Sequence, residues 1–220
     1  MQSPDAPDQP DPHAALMRHF AENAEACMQT AQEGLFQLDL AAQLLADTVS
    51  RGGKILLCGA AETAFLPPYL ASRLGGLLER ERPPLPALAL LGDIGWPVAN
   101  PSATAQALPP DMLEQLQQGV AQSLVSQLQQ FGQMEDTLWL YSMDAQQPYA
   151  LQALAAAHAR DLPVLWMHGG EPSDALGELD VEVLLAQPRG LRLLEQCLLA
   201  SHVVCDALDR ILLGDEEEND

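Results

Sequence analysis

Short apolar runs alternate along the chain with longer stretches whose apolar positions recur every three or four residues. The first kind predicts buried strands, the second amphipathic helices. Helical spacing covers 13–33 through Leu16, Phe20, Ala24 and Cys27, then 35–50 through Leu38, Ala42, Leu45 and Val49. Gly34 separates the two and Gly52-Gly53 stops the second, so two helices are expected ahead of the first strand. That strand is Ile55, Leu56, Leu57 and Cys58, and Gly59 ends it. Helical pattern returns over 64–78, with Pro67-Pro68 tolerable only in a first turn, so the helix is expected to begin near Pro67.

The rest of the chain repeats this alternation. Residues 79–86 read as a charged, proline-rich loop, 87–91 as a second strand and 92–110 as a long loop. Leu113, Leu116, Val120, Leu124 and Leu128 place an amphipathic helix over 111–131. Strands are expected at 137–142, 163–168 and 181–186, with a helix over 146–160 and a closing helix over 190–213. Residues 1–12 carry four prolines and three aspartates and read as a disordered arm; 214–220 read as a solvated acidic tail. Strand–helix alternation with short buried strands implies a parallel sheet covered on both faces, and ligands of such sheets bind at the carboxyl ends of the strands. The turns after Cys58, Leu91, Ser142 and His168 therefore share one rim.

Composition narrows the functions. The chain has 31 acidic against 10 basic residues, and Lys54 is its one lysine. Direct nucleic-acid binding is disfavoured by that balance. It fits either salt adaptation or a surface that docks a basic partner. No apolar run is long enough for a membrane span and no leader pattern opens the chain, so a cytoplasmic protein is expected. Cys27, Cys58, Cys197 and Cys205 lie in apolar or helical stretches without metal spacing and read as reduced, buried thiols. Trp96, Trp139 and Trp166 are too scattered for a stacking platform, and Gly169-Gly170 after the fourth strand reads as a turn.

The first strand-to-helix turn is the candidate for chemistry, because free backbone N–H groups and a helix dipole point into it. It is an unusual anion site: it has one glycine where a phosphate cradle needs several, and it carries Glu62. Two like charges about 4 Å apart at an effective dielectric of about 20 repel by roughly 4 kcal/mol.

The turn at 53–64, the run Glu81-Arg82-Pro83-Pro84-Leu85-Pro86-Ala87-Leu88-Ala89-Leu90, and the fifth strand with its closing helix resemble the SIS (sugar isomerase) domain. The branch matched holds the phosphoheptose isomerases and the DnaA initiator-associating (DiaA-type) proteins. The resemblance spans about 13–213 and implies an α/β three-layer sandwich, flavodoxin-like, with a five-stranded parallel sheet plus N-terminal helices. It also implies a homotetramer. The family's first turn, Cys-Gly-Asn-Gly-Gly-Ser-Ala, stands here as Cys58-Gly59-Ala60-Ala61-Glu62-Thr63-Ala64. Its second phosphate loop, Ser-Thr-Ser-Gly-Asn-Ser, stands as Ser142-Met143-Asp144-Ala145-Gln146-Gln147. Thr63 and Ser142 are thus the sugar-phosphate-binding candidates; the bland alternative is that both cap the helices that follow.

The four positions that the resemblance assigns to the isomerase's zinc and base fall on Tyr69, Arg73, Leu194 and His202. Only the histidine is kept, so no metal or other cofactor is expected, and His202 is a relic catalytic candidate or a hydrogen-bonded packing residue. The ending Cys205-Asp206-Ala207-Leu208-Asp209 is similar to that of the initiator-associating proteins. Leu212 and Leu213 are candidates for a partner or subunit contact. The leading expectation is a non-catalytic homotetrameric platform whose partner, by resemblance, is the replication initiator DnaA. The alternatives are a sedoheptulose 7-phosphate isomerase on a rearranged site, or a phosphosugar sensor without turnover.

Overall fold

The computed structural model describes residues 12–76, 80–92, 109–186 and 190–214. Five strands form one sheet: β1 (Ile55–Gly59), β2 (Ala87–Leu91), β3 (Thr137–Tyr141), β4 (Val164–His168) and β5 (Val181–Leu184). Their order is β2-β1-β3-β4-β5, and every pairing is parallel. Among the described residues the α-helices are α1 (Pro12–Ser50), α2 (Leu66–Gly75), α3 (Pro110–Phe131), α4 (Pro148–His158) and α5 (Gly190–Leu213). This is the α/β sandwich expected, with its largest difference at the start.

The expected break at Gly34 is absent: α1 runs unbroken for 39 residues. A glycine inside a helix costs about 1 kcal/mol relative to alanine, and packing outweighs it here. A side chain at Gly34 would point at the Leu184 carbonyl on β5, 4.0 Å away. One turn earlier, Thr30 Oγ1 accepts the Ala186 N–H at 3.1 Å, so α1 itself satisfies the end of β5.

The helix expected over 64–78 is shorter, and a 3-10 turn at Ala61–Thr63 precedes it. Pro67 and Pro68 sit in its first turn because neither has an N–H to give to a preceding carbonyl. Smaller end shifts occur at α4, β4 and β5, within the usual fraying of element ends. The arm at 1–11, the tail at 215–220, Trp96 and most of the 92–110 loop lie outside the described residues.

Strand alternation splits the core into two layers. Ile55, Leu57, Trp139, Tyr141, Leu165, Met167 and Val183 face α1, α2 and α5. Leu56, Cys58, Leu138, Leu140, Val164 and Trp166 face α3 and α4. Trp139 and Trp166 are therefore core residues. All four cysteines are free; Cys58, Cys197 and Cys205 are buried and Cys27 is partly exposed. Burial pushes each of the three buried thiols up to about 12. Leu212 packs against the first layer, whereas Leu213 is 47% exposed.

Candidate functional site

At the carboxyl end of β1 the chain turns sharply. A side chain at Gly59 would stand 3.0 Å from Thr63 Oγ1 and 3.1 Å from the Thr63 carbonyl, which explains the glycine. Ala61 adopts φ 51°, in the left-handed region that glycine fills at no steric cost. The turn thus keeps a glycine conformation without the glycine.

The structure brings Thr63 and Ser142 to neighbouring strand ends, as expected, and fully buries both. Neither hydroxyl is free. Thr63 Oγ1 donates to the Ala60 carbonyl at 2.9 Å and lies 3.2 Å from Tyr149 Oη, which donates to the Tyr141 carbonyl at 2.8 Å. Ser142 Oγ donates to the Asp144 carbonyl at 2.7 Å and accepts Trp166 Nε1–H at 2.9 Å. Burial holds the Tyr149 phenol above its usual range, so it remains a neutral donor.

Several backbone amides of the two turns are also occupied. The Ser142 N–H goes to the Met167 carbonyl at 3.2 Å, Met143 N–H to Gln147 Oε1 at 3.0 Å, and Gln146 N–H to Asp144 Oδ1 at 2.8 Å. In the first turn, the Thr63 N–H bonds to the Ala60 carbonyl and the Ala64 N–H to the Ala61 carbonyl. The second loop therefore caps itself: Gln147 and Asp144 put their own oxygens on the Met143 and Gln146 amides. Between the loops is a recess of about 100 Å3, lined by Ala60, Ala61, Gln117, Val120, Gln147, Pro148 and Tyr149. Ligand pockets usually measure roughly 300–1,000 Å3.

Three of the four positions that resemblance assigns to zinc and the base, Tyr69, Arg73 and His202, form a second cluster between α2 and α5. Tyr69 Oη is hydrogen-bonded to His202 Nε2 at 2.8 Å, with ring centroids 5.7 Å apart. The Arg73 guanidinium lies over the Tyr69 ring, 5.7 Å from its centroid. A phenol, a guanidinium, a leucine and one imidazole do not fit a zinc ion, which needs three or four N, S or carboxylate donors. Among the described residues, no group of three or more His, Cys, Asp or Glu side chains is gathered to hold a metal.

A third group was not legible in the sequence. The fully buried His168 has Nδ1 2.8 Å from the Gly169 carbonyl and Nε2 2.9 Å from Glu182 Oε1, which also accepts the Ser173 N–H at 2.7 Å. Asp180 accepts from Gly177 N–H and Val164 N–H and contacts His158 Nε2 at 2.7 Å. These carboxylates tie the loop after β4 to the sheet. Acid–histidine pairs separated by 14 and 22 positions leave no periodic trace.

Residues 19–169 match the family model for the SIS domain. The phosphoheptose isomerase of Thiobacillus denitrificans is 31% identical over 93% of this chain and 98% of its own length. That of Methylococcus capsulatus is 32% identical over 93% of this chain and all of its own. Among solved structures, a phosphoheptose isomerase from Francisella tularensis superposes with a TM-score of 0.74 at 25% identity, covering 91% of this chain and 99% of the other. One from Neisseria gonorrhoeae superposes with a TM-score of 0.70, also at 25% identity, covering 90% and 99%.

Proposed function

This chain belongs to the SIS-domain family, in its phosphoheptose isomerase group, and from that premise we propose that it is a non-catalytic member acting as an oligomeric binding platform. The observation that carries the reading is the self-capped second loop, where Asp144 and Gln147 occupy the amides at the rim. The absence of a zinc-competent donor set at Tyr69, Arg73, Leu194 and His202 supports it. An aldose–ketose isomerase must move a proton between adjacent carbons with a positioned base, and the cluster presents a permanent cation instead.

The apolar face of α1 supports the oligomer. Leu16, Phe20, Met28 and Leu35 recur along one stripe and are 59–73% exposed. Such a stripe on a monomer marks an interaction surface. A homotetramer in the cytoplasm is the assembly proposed. Leu213, at the end of α5, is the exposed member of the pair expected to contact a partner, while Leu212 serves the core.

The test is turnover of sedoheptulose 7-phosphate, with and without added zinc. The expected result is no rate above the uncatalysed one. Turnover at ordinary enzymatic rates, with kcat of about 1 s⁻¹ or more, would overturn the proposal. It would establish the second reading, an isomerase on a rearranged site, which kinship favours because the relatives described above bear that name. Raised melting temperature with a phosphosugar but no turnover would point to a sensor.

DnaA as partner rests on the resemblance to the initiator-associating branch, which also departs from the isomerase set and has a similar ending at 205–209. Cys205 and Asp209 are nearly fully buried there, so those two residues serve packing and present no surface to a partner. Retention of DnaA on the immobilised protein would support that partner; no retention removes it and leaves the platform to another.

A further inference from the structure

The first turns of α1 are poorly covered by the rest of the chain. Every residue from His13 to Ala21 is exposed, and Leu16, Met17 and Phe20 are 61–73% exposed. A helical end without packing is marginal in water. The apolar stripe continues from Phe20 through Ala24, Met28 and Ala31 to Leu35, in steps of three and four residues. It differs from the stripe that α1 turns to its own chain, which holds Ala26, Thr30, Gly34 and Leu38, all buried. It carries no acid, in a chain with 31 of them. A strongly acidic chain repels its own copy, so a surface where two copies meet has to be one that the acids leave free. A basic partner, by contrast, would seek the acids and gain nothing from this stripe.

The order of side chains along the stripe is self-complementary. With a second α1 laid alongside in the opposite direction and Met28 at the centre, Phe20 stands opposite Leu35 of the other copy and Ala24 opposite its Ala31. The two Met28 side chains meet each other. Small residues on either side of the centre let the two helix axes approach closely. The same register aligns unlike polar groups on one flank. Arg18 comes level with Asp39 of the other copy, and Glu25 with its Gln32; all four are exposed. Asp39 meets the neutral Gln43 amide within its own helix at 2.7 Å, so its charge is still available to an arginine.

We propose that α1 pairs with α1 of a second copy, antiparallel, about a two-fold axis at Met28. The pairing rests on the oligomeric reading above and gives it a surface and a direction. A two-fold contact of this kind uses the same patch on both copies and closes on itself.

The experiment is thiol cross-linking of the full chain with a short bismaleimide, in a Cys27→Ser background where the other three thiols are buried. Met28→Cys should link to its own copy. Arg18→Cys and Asp39→Cys should link when co-expressed and not when either is alone, because each lies about 30 Å from its own counterpart at about 1.5 Å of rise per residue. The second measurement is sedimentation of Phe20→Asp and Leu35→Asp. Both side chains are exposed in the single chain, so its fold does not need them, and circular dichroism checks this. The Kd of self-association should rise by about 30-fold or more, as loss of an interface anchor requires. Linking of Arg18→Cys to itself means parallel helices and overturns the proposal. So does an oligomer that gives no link at Met28→Cys and is unmoved by both aspartate variants, which leaves the oligomeric reading on another surface. A chain that sediments as a monomer overturns both, and turnover of a sugar phosphate bears on neither outcome.

Discussion

Arg82 and Asp209 form an ion pair with side chains only 1% and 2% exposed, and the structure sets how much it should matter. Arg82 Nε donates to Asp209 Oδ1 at 2.5 Å, and its Nη1 donates to the Leu74 carbonyl at 2.8 Å and to the Gly76 and Pro83 carbonyls at 3.3 Å. One arginine thus ties the loop before β2 and the end of α2 to α5. Asp209→Asn keeps the shape and an acceptor but leaves the guanidinium charge buried and uncompensated. Breaking such a pair costs about 3–5 kcal/mol, a large part of the roughly 5–15 kcal/mol that stabilises a domain. For a chain of this length each kcal/mol lowers Tm by about 2–4 °C, so Tm should fall by roughly 6–20 °C. The double change Arg82→Met with Asp209→Leu removes both charges and should recover most of that loss. The assay is thermal and urea unfolding at low and high salt, with little salt dependence expected, because a buried pair is poorly screened. A fall of less than about 2 °C in Asp209→Asn, or a double variant as unstable as the single, would refute the reasoning.

Three further outcomes follow from the same geometry. Ala61→Gly should stabilise the protein by about 0.5–1 kcal/mol, because it relieves a left-handed alanine at φ 51° at the expense of a looser unfolded chain; a lower urea midpoint would contradict this. Ser142→Ala should cost about 1–3 kcal/mol by stranding the buried Trp166 Nε1–H, and unchanged unfolding would show that the hydroxyl is not needed there. Cys58, Cys197 and Cys205 rise from 9.0 to about 12 on folding, so the native state holds their protons more tightly than the unfolded state. Their contribution is fully present below about pH 9 and is lost as pH rises towards 12. Stability should then fall by up to about 1.4 kcal/mol per thiol per pH unit in that window. At pH 8, a thiol reagent should find Cys27 alone in the native protein; fast labelling of all four would contradict the burial.

The three central strands, β1, β3 and β4, were readable because they are buried on both faces and so appear as apolar runs, Ile55–Cys58 the clearest. The helices were readable where one face is apolar, as along α3. Gly34 misled because helix propensity is a local quantity, whereas the contact with β5 that keeps α1 continuous is 150 residues away. At the candidate site, the residue types revealed that donors had been replaced by acids. They did not reveal where those acids point. Asp144 turns back on the Gln146 amide, a local Asx-type bond that suits its residue type. The bonds from Trp166 to Ser142 and from His168 to Glu182 join separate strands, and nothing in the spacing announces them.

A phosphate-binding loop that loses its ligand faces a physical problem, because amides arranged around an anion are left without acceptors once the anion is gone. Each buried orphan N–H costs about 1–3 kcal/mol, so several together would exceed what a marginally stable domain tolerates. This chain resolves the problem within the loop. Gln147 and Asp144 accept the Met143 and Gln146 amides, Ser142 bridges Asp144 and Trp166, and Thr63 closes the first turn onto Ala60. On the proposed reading, Asp144 and Gln147 are therefore the residues that let the loop keep its shape with nothing bound.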